Sequence, residues 1–245
     1  MYKNLHSLLP LQHELGHLIV AVKEDIKIGL PTLIPGVQFG LTGAITPINS
    51  SPMNIKSLFD FAIAGPLFGI VASLVLLYFG LEMTVFMDSS ALEQLPSVPL
   101  VLLRSSALGG GIIDYLLGGV LYSHDPSQMI KLHPFALAGF GGLVINALSL
   151  LPIGNTDGGR ISLAFFGRSF SRAVQGTTLL GLIVAGFLGA DQADILLTYA
   201  VYCQLWQKET EIPCRNEVDE LDTVRGFIAI GASLIVFLTL TPLPY

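Results

Sequence analysis

Charge is scarce in this chain: only 12% of its 245 residues are Asp, Glu, Lys or Arg, about half the ~25% a soluble domain carries. So few charges do not cover a soluble globular surface, and that class is set aside. Basic residues are scarcer than acidic ones, 12 against 18, for a net charge of −6. No basic cluster is present to meet a phosphate backbone, which excludes nucleic acid as the expected partner. Two cysteines, Cys203 and Cys214, are too few for a disulfide framework and leave the redox compartment open. The first residues lack the order of basic leader, apolar stretch and small-residue cleavage site that marks a signal peptide. The apolar stretch Leu8 to Val22 is broken by Pro10 and by polar residues at 12 to 17, which leaves it short for a span. The expectation is a chain that starts a few residues before its functional site and lacks upstream sequence.

Apolar runs fill the space that charge vacates, since 52% of residues are hydrophobic. Phe61 to Leu81, Phe135 to Ile153 and Gly226 to Tyr245 carry little or no charge and approach the ~20 residues that cross a hydrocarbon core. Each reads as a membrane span. Val174 to Ala190 and Ile195 to Trp206 are separated by Asp191 and Asp194 and read as two spans meeting at a turn, or one and a partial one. Pro99 to Leu121 contains Arg104 and Asp114, charges that cost about 2.5–3.5 kcal/mol each at the bilayer centre, so it is expected against the protein interior or near an interface. Between Val22 and Asp60 the sequence is rich in Gly and Pro, with β-favouring pieces at Val37-Gln38-Phe39 and Ala44-Ile45-Thr46. Non-helical backbone at membrane depth needs protein or a water-filled cavity around it, which suggests a re-entrant β element whose edge accepts an unwound peptide strand. The fold expected is an all-α membrane protein: a polytopic transmembrane helix bundle of about six to seven spans with a small re-entrant β element, forming a single domain over residues 1–245.

The chemistry is concentrated at Gln12-His13-Glu14-Leu15-Gly16-His17-Leu18. On a helix, His13 and His17 lie one turn apart on the same face and supply two metal ligands. Glu14 is then placed to act as general base on the attacking water. Two His and a Glu inside an apolar helix are costly unless a metal or one another satisfies them. A catalytic zinc takes three protein ligands and keeps one position open. The metzincin extension would put a third His at position 23, where Lys23 stands, so that class is excluded. Asp157 is the candidate third ligand: it follows a 19-residue uncharged run and a Pro152-Ile153-Gly154-Asn155-Thr156 break, and precedes Gly158-Gly159-Arg160. This reads as a carboxylate on flexible backbone at the end of a membrane helix, with glycines that permit close approach. Taken without the histidines, Asp-Gly-Gly is equally an ordinary turn.

HELGH at 13 to 17, Ala64-Gly65-Pro66 opening a membrane helix, and LLPIGNTDGGR at 150 to 160 together resemble the site-2 protease family of intramembrane zinc metalloproteases (peptidase family M50). The similarity is greatest to the plastid branch, the ethylene-dependent gravitropism-deficient and yellow-green proteins. It extends to Leu-Thr-Gly-Ala-Ile-Thr at 41 to 46, to His133-Pro134 and to the Cys203…Pro213-Cys214 loop. The resemblance implies Zn2+ held by His13, His17 and Asp157, with Glu14 catalytic. It also implies a membrane protein substrate, hydrolysed in or at the edge of its spans, and a plastid or thylakoid membrane.

Two departures stand out. The family often has Asn eight residues before the zinc-binding Asp, where this chain has Ser149, and members outside the plastid branch often have Asn three residues after the Pro of AGP, where it has Gly69. Asn146 lies one turn before Ser149, so Asn146 and Ser149 are the candidates for holding a substrate backbone, Asn146 being equally able to bond a neighbouring helix. His133, at a helix start before Pro134, reads as a structural residue, and His6 and His124 as surface residues. Arg160, Arg168 and Arg172 follow the site closely and bias that segment toward the positive side of the membrane. A rival reading is a non-catalytic scaffold or metal-binding protein on the same fold, against which Glu14 argues, because a pure metal binder needs no base. A transporter is a further alternative, but no inverted repeat is visible.

Overall fold

The structure, a computed structural model, describes residues 8–36, 40–123, 125, 127–188, 193–206 and 210–243. It is mostly helical. In chain order come α1 (Leu8–Lys23), β1 (Thr32–Gly36), β2 (Gly40–Ile45), α2 (Ile55–Val85), α3 (Ser89–Leu92), β3 (Ser97–Pro99), α4 (Leu100–Arg104), α5 (Ala107–Leu116), α6 (Val120–Ser123), β4 (Met129–Lys131), α7 (Pro134–Ser149), α8 (Asp157–Phe187), α9 (Ala193–Trp206) and α10 (Thr223–Leu240).

Three helices, α2, α8 and α10, are long and apolar enough to cross a membrane, with mean hydropathies of 2.2, 1.2 and 1.9 over their most apolar stretches. Their outward faces support this. Leu67, Phe68, Val71, Val75 and Phe79 on α2, and Phe227, Ile230, Leu234 and Phe237 on α10, are exposed, forming apolar surface of an extent that water does not tolerate on a monomer. The expected spans at 61–81 and from 226 onward thus fall on α2 and α10. The expected span Phe135 to Ile153 is different: its helix, α7, has 16 residues, about 24 Å at 1.5 Å per residue. Nearly all of α7 is buried, because it is apolar on every face and has protein rather than lipid around it. The run beginning at Val174 is the second half of α8. It joins the Asp157 segment through Gly167, whose φ of 72° breaks the helical path in a conformation open to glycine. The 99–121 segment is not one continuous helix; it is divided among β3, α4, α5 and α6.

Helices α2 and α7 lie side by side at the centre, with α1 packed on α2 and α8 on both α2 and α9. Close approach at the centre depends on small residues: a Cβ at Gly139 of α7 would lie 2.3 Å from the Leu77 backbone nitrogen of α2. Helix starts are capped by side-chain oxygens, Asn54 accepting from Ser57 N at 2.9 Å and Asp222 from Arg225 N at 2.9 Å, which satisfies donors that a first turn leaves open. Asp60 of α2 accepts both Nε and Nη2 of Arg225, fastening α10 to the centre.

The β element is an antiparallel hairpin of β1 and β2, paired Thr32 with Ile45 and Leu33 with Ala44. Ala44 and Ile45 fall in it as expected, while Val37-Gln38-Phe39 lies outside the described residues. A second two-stranded sheet, β3 with β4, was not anticipated. Cys203 and Cys214 are both free and buried. Burial pushes the Cys214 thiol up to about 11, so it stays protonated and unreactive at neutral pH. The Arg168 guanidinium holds the Glu217 carboxyl below its ordinary value and ties the 210–222 segment to α8 through two hydrogen bonds to Glu217 and one to the Glu211 carbonyl.

Candidate metal centre

Helix α1 places His13 and His17 one turn apart, facing the N-terminus of α8, where Asp157 is the first residue. The expected flexible loop at Asp157 is not found: Thr156 caps a helix there, its Oγ1 accepting from Gly159 N at 3.2 Å and donating to the Ile153 carbonyl at 2.7 Å. A carboxylate in this first turn is favoured by the helix dipole and held by rigid backbone.

The three side chains meet. His13 Nε2 lies 3.0 Å from His17 Nε2 and 3.1 Å from Asp157 Oδ2, and His17 Nε2 lies 3.3 Å from Asp157 Oδ1. All three residues are buried. Ligands ~2.0–2.1 Å from one tetrahedral ion stand ~3.3–3.4 Å apart, close to the spacings seen.

The outer contacts of the imidazoles decide which atoms face inward. His17 Nδ1 is 2.9 Å from the Phe61 carbonyl oxygen; a carbonyl only accepts, so Nδ1 carries the proton. His13 Nδ1 is 2.9 Å from Asn146 Oδ1. The amide is oriented by Nδ2, which donates to the Gly142 carbonyl at 2.8 Å, so here too the ring donates from Nδ1. In the neutral rings both Nε2 atoms therefore present lone pairs to each other and to a carboxylate. Three acceptors with no proton among them, buried together, fit a cation, and the N, N, O set suits zinc.

Glu14 sits next to this set. Its Oε2 accepts from the Thr46 hydroxyl, at the end of β2. Its Oε1 is buried and has no hydrogen-bond partner among the described residues. Arg160, 2% exposed, donates from Nε to Glu211 Oε2 at 2.6 Å and from Nη2 to the Thr46 carbonyl at 2.9 Å, and places Nη1 3.7 Å from Asp157 Oδ1. So deeply buried an arginine does not act as the expected surface charge beside the membrane. It links the Asp157 carboxylate, the Glu14 partner Thr46 and the 210–222 segment instead. Arg168 pairs with Glu217, and Arg172 is exposed.

Of the expected substrate contacts, Asn146 has both ends of its amide engaged within the protein, as above, and Ser149 Oγ donates back to the Asn146 carbonyl at 2.9 Å. His133 caps α7, Nδ1 accepting from Phe135 N, with its pKa lowered by partial burial, as suits a structural residue. His6 and His124 lie outside the described residues. Thr46, Arg160 and Glu211 were not singled out as site residues in the sequence. Thr46 lies within the 41–46 stretch that carries the resemblance, whereas nothing in the residues around Glu211 signals its burial.

Ala64-Gly65-Pro66 has a direct use. A Cβ at Gly65 would stand 2.3 Å from His17 Nε2, so α2 can back the imidazole only where it has no side chain. Gly65→Ala is expected to abolish stoichiometric zinc binding. Gly176→Ala on α8, with open space around its Cβ, is expected to bind as wild type. Zinc content per purified chain measures both, and an occupied Gly65→Ala protein would contradict the packing described.

These features define a class: an apolar helical protein with a buried His, His, carboxylate centre and a glutamate beside it. The family model for peptidase family M50 matches residues 7–188, and the chain belongs to that family. It is similar to the "Probable zinc metalloprotease EGY1, chloroplastic" of Arabidopsis thaliana, 33% identical over 234 residues, covering 95% of this chain and 41% of that one. The protein of the same name from Oryza sativa subsp. japonica is 32% identical over 237 residues, covering 96% and 39%. The "Probable zinc metallopeptidase EGY3, chloroplastic" of Arabidopsis thaliana is 29% identical over 238 residues, covering 94% and 40%. The chain thus spans about two fifths of the length of these relatives. No solved structure matches.

Proposed function

We propose that this chain is an intramembrane zinc metalloendopeptidase that hydrolyses peptide bonds in or at the edge of the membrane spans of protein substrates. The observation that carries the reading is the meeting of two Nε2 lone pairs and the Asp157 carboxylate at 3.0–3.3 Å beside Glu14. His13, His17 and Asp157 hold the ion. Zinc, when bound, lowers the pKa of a coordinated water and polarises the scissile carbonyl. Glu14 Oε1 takes the proton of the attacking water and passes it to the leaving amine. Thr46, donating to Oε2, fixes the carboxylate so that Oε1 is the free acceptor.

The hairpin supports a substrate path. Strand β2 ends one residue before Thr46, so a peptide strand added to the hairpin edge would run toward the base. A helical substrate must unwind locally to expose such a strand, which favours sequences with helix-breaking residues. We extend the three long helices to six to seven spans by counting the apolar α5, α7 and α9, and α1, as partial spans shielded by neighbours, within one domain over 1–245. The names of the relatives favour a plastid membrane.

Wild-type protein reconstituted in vesicles is expected to cleave a single-span reporter carrying a helix-breaking residue. Chelation should abolish cleavage and added zinc restore it, read by mass spectrometry of the products. Persistent cleavage after complete metal removal would exclude the mechanism. Zinc binding with no cleavage across a reporter panel would favour the scaffold reading.

A further inference from the structure

Asn146 and Gly69 form one device. Asn146 is 2% exposed, in the last turn of α7. Its amide fills the volume over Gly69 of the neighbouring α2: a Cβ at position 69 would stand 2.1 Å from Asn146 Oδ1 and 2.5 Å from both Cγ and Nδ2. A side chain on α2 there and the amide from α7 are mutually exclusive. The amide has two ends, and each is used differently. Nδ2 donates to the Gly142 carbonyl one turn back at 2.8 Å, which sets the orientation of the group. That leaves Oδ1 facing His13 Nδ1 at 2.9 Å, an acceptor for the one ring proton.

A histidine ligand is only as well placed as the bond on its other nitrogen, which fixes both ring rotation and tautomer. His17 has the Phe61 backbone carbonyl for this. Among the described residues, His13 has Asn146. We propose that Asn146 is the positioning residue for His13, holding the imidazole as the Nδ1–H tautomer with Nε2 turned to the metal, and that Gly69 is the opening that admits it. This rests on the reading of His13 as a metal ligand. It replaces substrate contact as the role of Asn146, because a substrate carbonyl would need Nδ2, and freeing Nδ2 would unset the amide that orients His13.

The variants separate the two ends of the amide. Asn146→Leu keeps the branched shape and removes both polar ends. Asn146→Asp keeps an acceptor for His13 and loses the donor to Gly142. Zinc affinity is measured on purified full-length protein by competition with a chelator of known affinity, alongside the melting temperature of the zinc-free protein. Asn146→Leu is expected to weaken zinc binding about 10–100-fold, the usual effect of removing an outer partner of a histidine ligand. Asn146→Asp is expected to stay within about threefold of wild type, a carboxylate being a common partner of that kind. Gly69→Ala alone should weaken binding like Asn146→Leu, and should add nothing once Asn146→Ala has emptied the volume beside it.

This non-additivity keeps the test available if Asn146→Leu fails to fold. Wild-type zinc affinity in Asn146→Leu, or additive losses from Gly69→Ala and Asn146→Ala, would overturn the proposal. Equal losses in Asn146→Leu and Asn146→Asp, tracking the melting temperature, would leave Asn146 as helix glue and overturn it as well. Failure of wild-type protein to bind zinc at all would instead sink the metal centre, and this inference with it.

Discussion

Glu14→Gln is expected to retain a full complement of zinc and to lose peptide hydrolysis by about 10²–10⁴-fold, the range for a general acid–base group. The substitution is close to isosteric. The Gln carbonyl oxygen can accept from the Thr46 hydroxyl as Glu14 Oε2 does, so the local packing has no reason to change. What changes is the other end, where the buried Oε1 becomes an NH2 that cannot take a proton. The metal set is untouched because Glu14 is not among the residues whose donor atoms converge there. The loss should therefore fall on kcat rather than on zinc content. Atomic absorption and cleavage of the vesicle reporter, measured on the same preparation, check the two halves. Turnover within a few-fold of wild type would remove Glu14 from the mechanism. Thr46→Val, which takes away only the hydroxyl, should show a smaller loss in the same direction, since Glu14 would keep its carboxylate and lose its orientation.

The residues of the candidate site are legible in the sequence because their constraint is local or compositional. His13, Glu14 and His17 fall within five consecutive positions, at a spacing that puts both imidazoles on one helix face. Asp157 stands out because it follows a 19-residue uncharged run and precedes Gly158-Gly159, where two histidines call for a third ligand. The residues that position them were hidden, because their partners are distant in the chain. Asn146 lies 133 positions from the imidazole it holds, and Arg160 reaches back 114 positions to Thr46. Gly65 and Gly69 act through the side chain they lack, and a missing Cβ is visible only once the facing helix is in place.

The fold was legible to a similar depth. Length and apolarity found α2 and α10, whose outer faces are exposed hydrophobics. The same measure does not set α7 apart from them, since a helix apolar on every face looks alike whether lipid or protein surrounds it. It also does not show that 157–187 is helical on both sides of a kink at Gly167, because a charged and glycine-rich first half conceals the helical pattern. That difference matters most for the site: the flexible backbone expected at Asp157 is a capped helix start, which makes the candidate third ligand rigid.

Rigidity of that ligand leads to the second large effect, the loss of zinc and of zinc-dependent stability in Asp157→Ala, His13→Ala or His17→Ala. Wild-type zinc binding should raise stability by RT ln(1 + [Zn]/Kd), about 4 kcal/mol when free zinc is a thousandfold above Kd. At roughly 2–4 °C per kcal/mol for a chain of this size, the melting temperature should rise by about 8–16 °C on adding zinc. Each ligand variant should show little of that rise. Removing Asp157 leaves two Nε2 atoms 3.0 Å apart and no anionic donor, and removing either histidine leaves one imidazole and the carboxylate. Neither pair completes the three-ligand set of a zinc site. The neighbouring carboxylates cannot substitute without breaking other bonds, Glu14 being held by Thr46 and Glu211 by Arg160 at 2.6 Å. Glu211→Gln, which keeps an acceptor for Arg160, should therefore retain most of the zinc-induced rise. A full rise in Asp157→Ala, coupled with its loss in Glu211→Gln, would show that the 210–222 segment, and not the start of α8, supplies the third ligand.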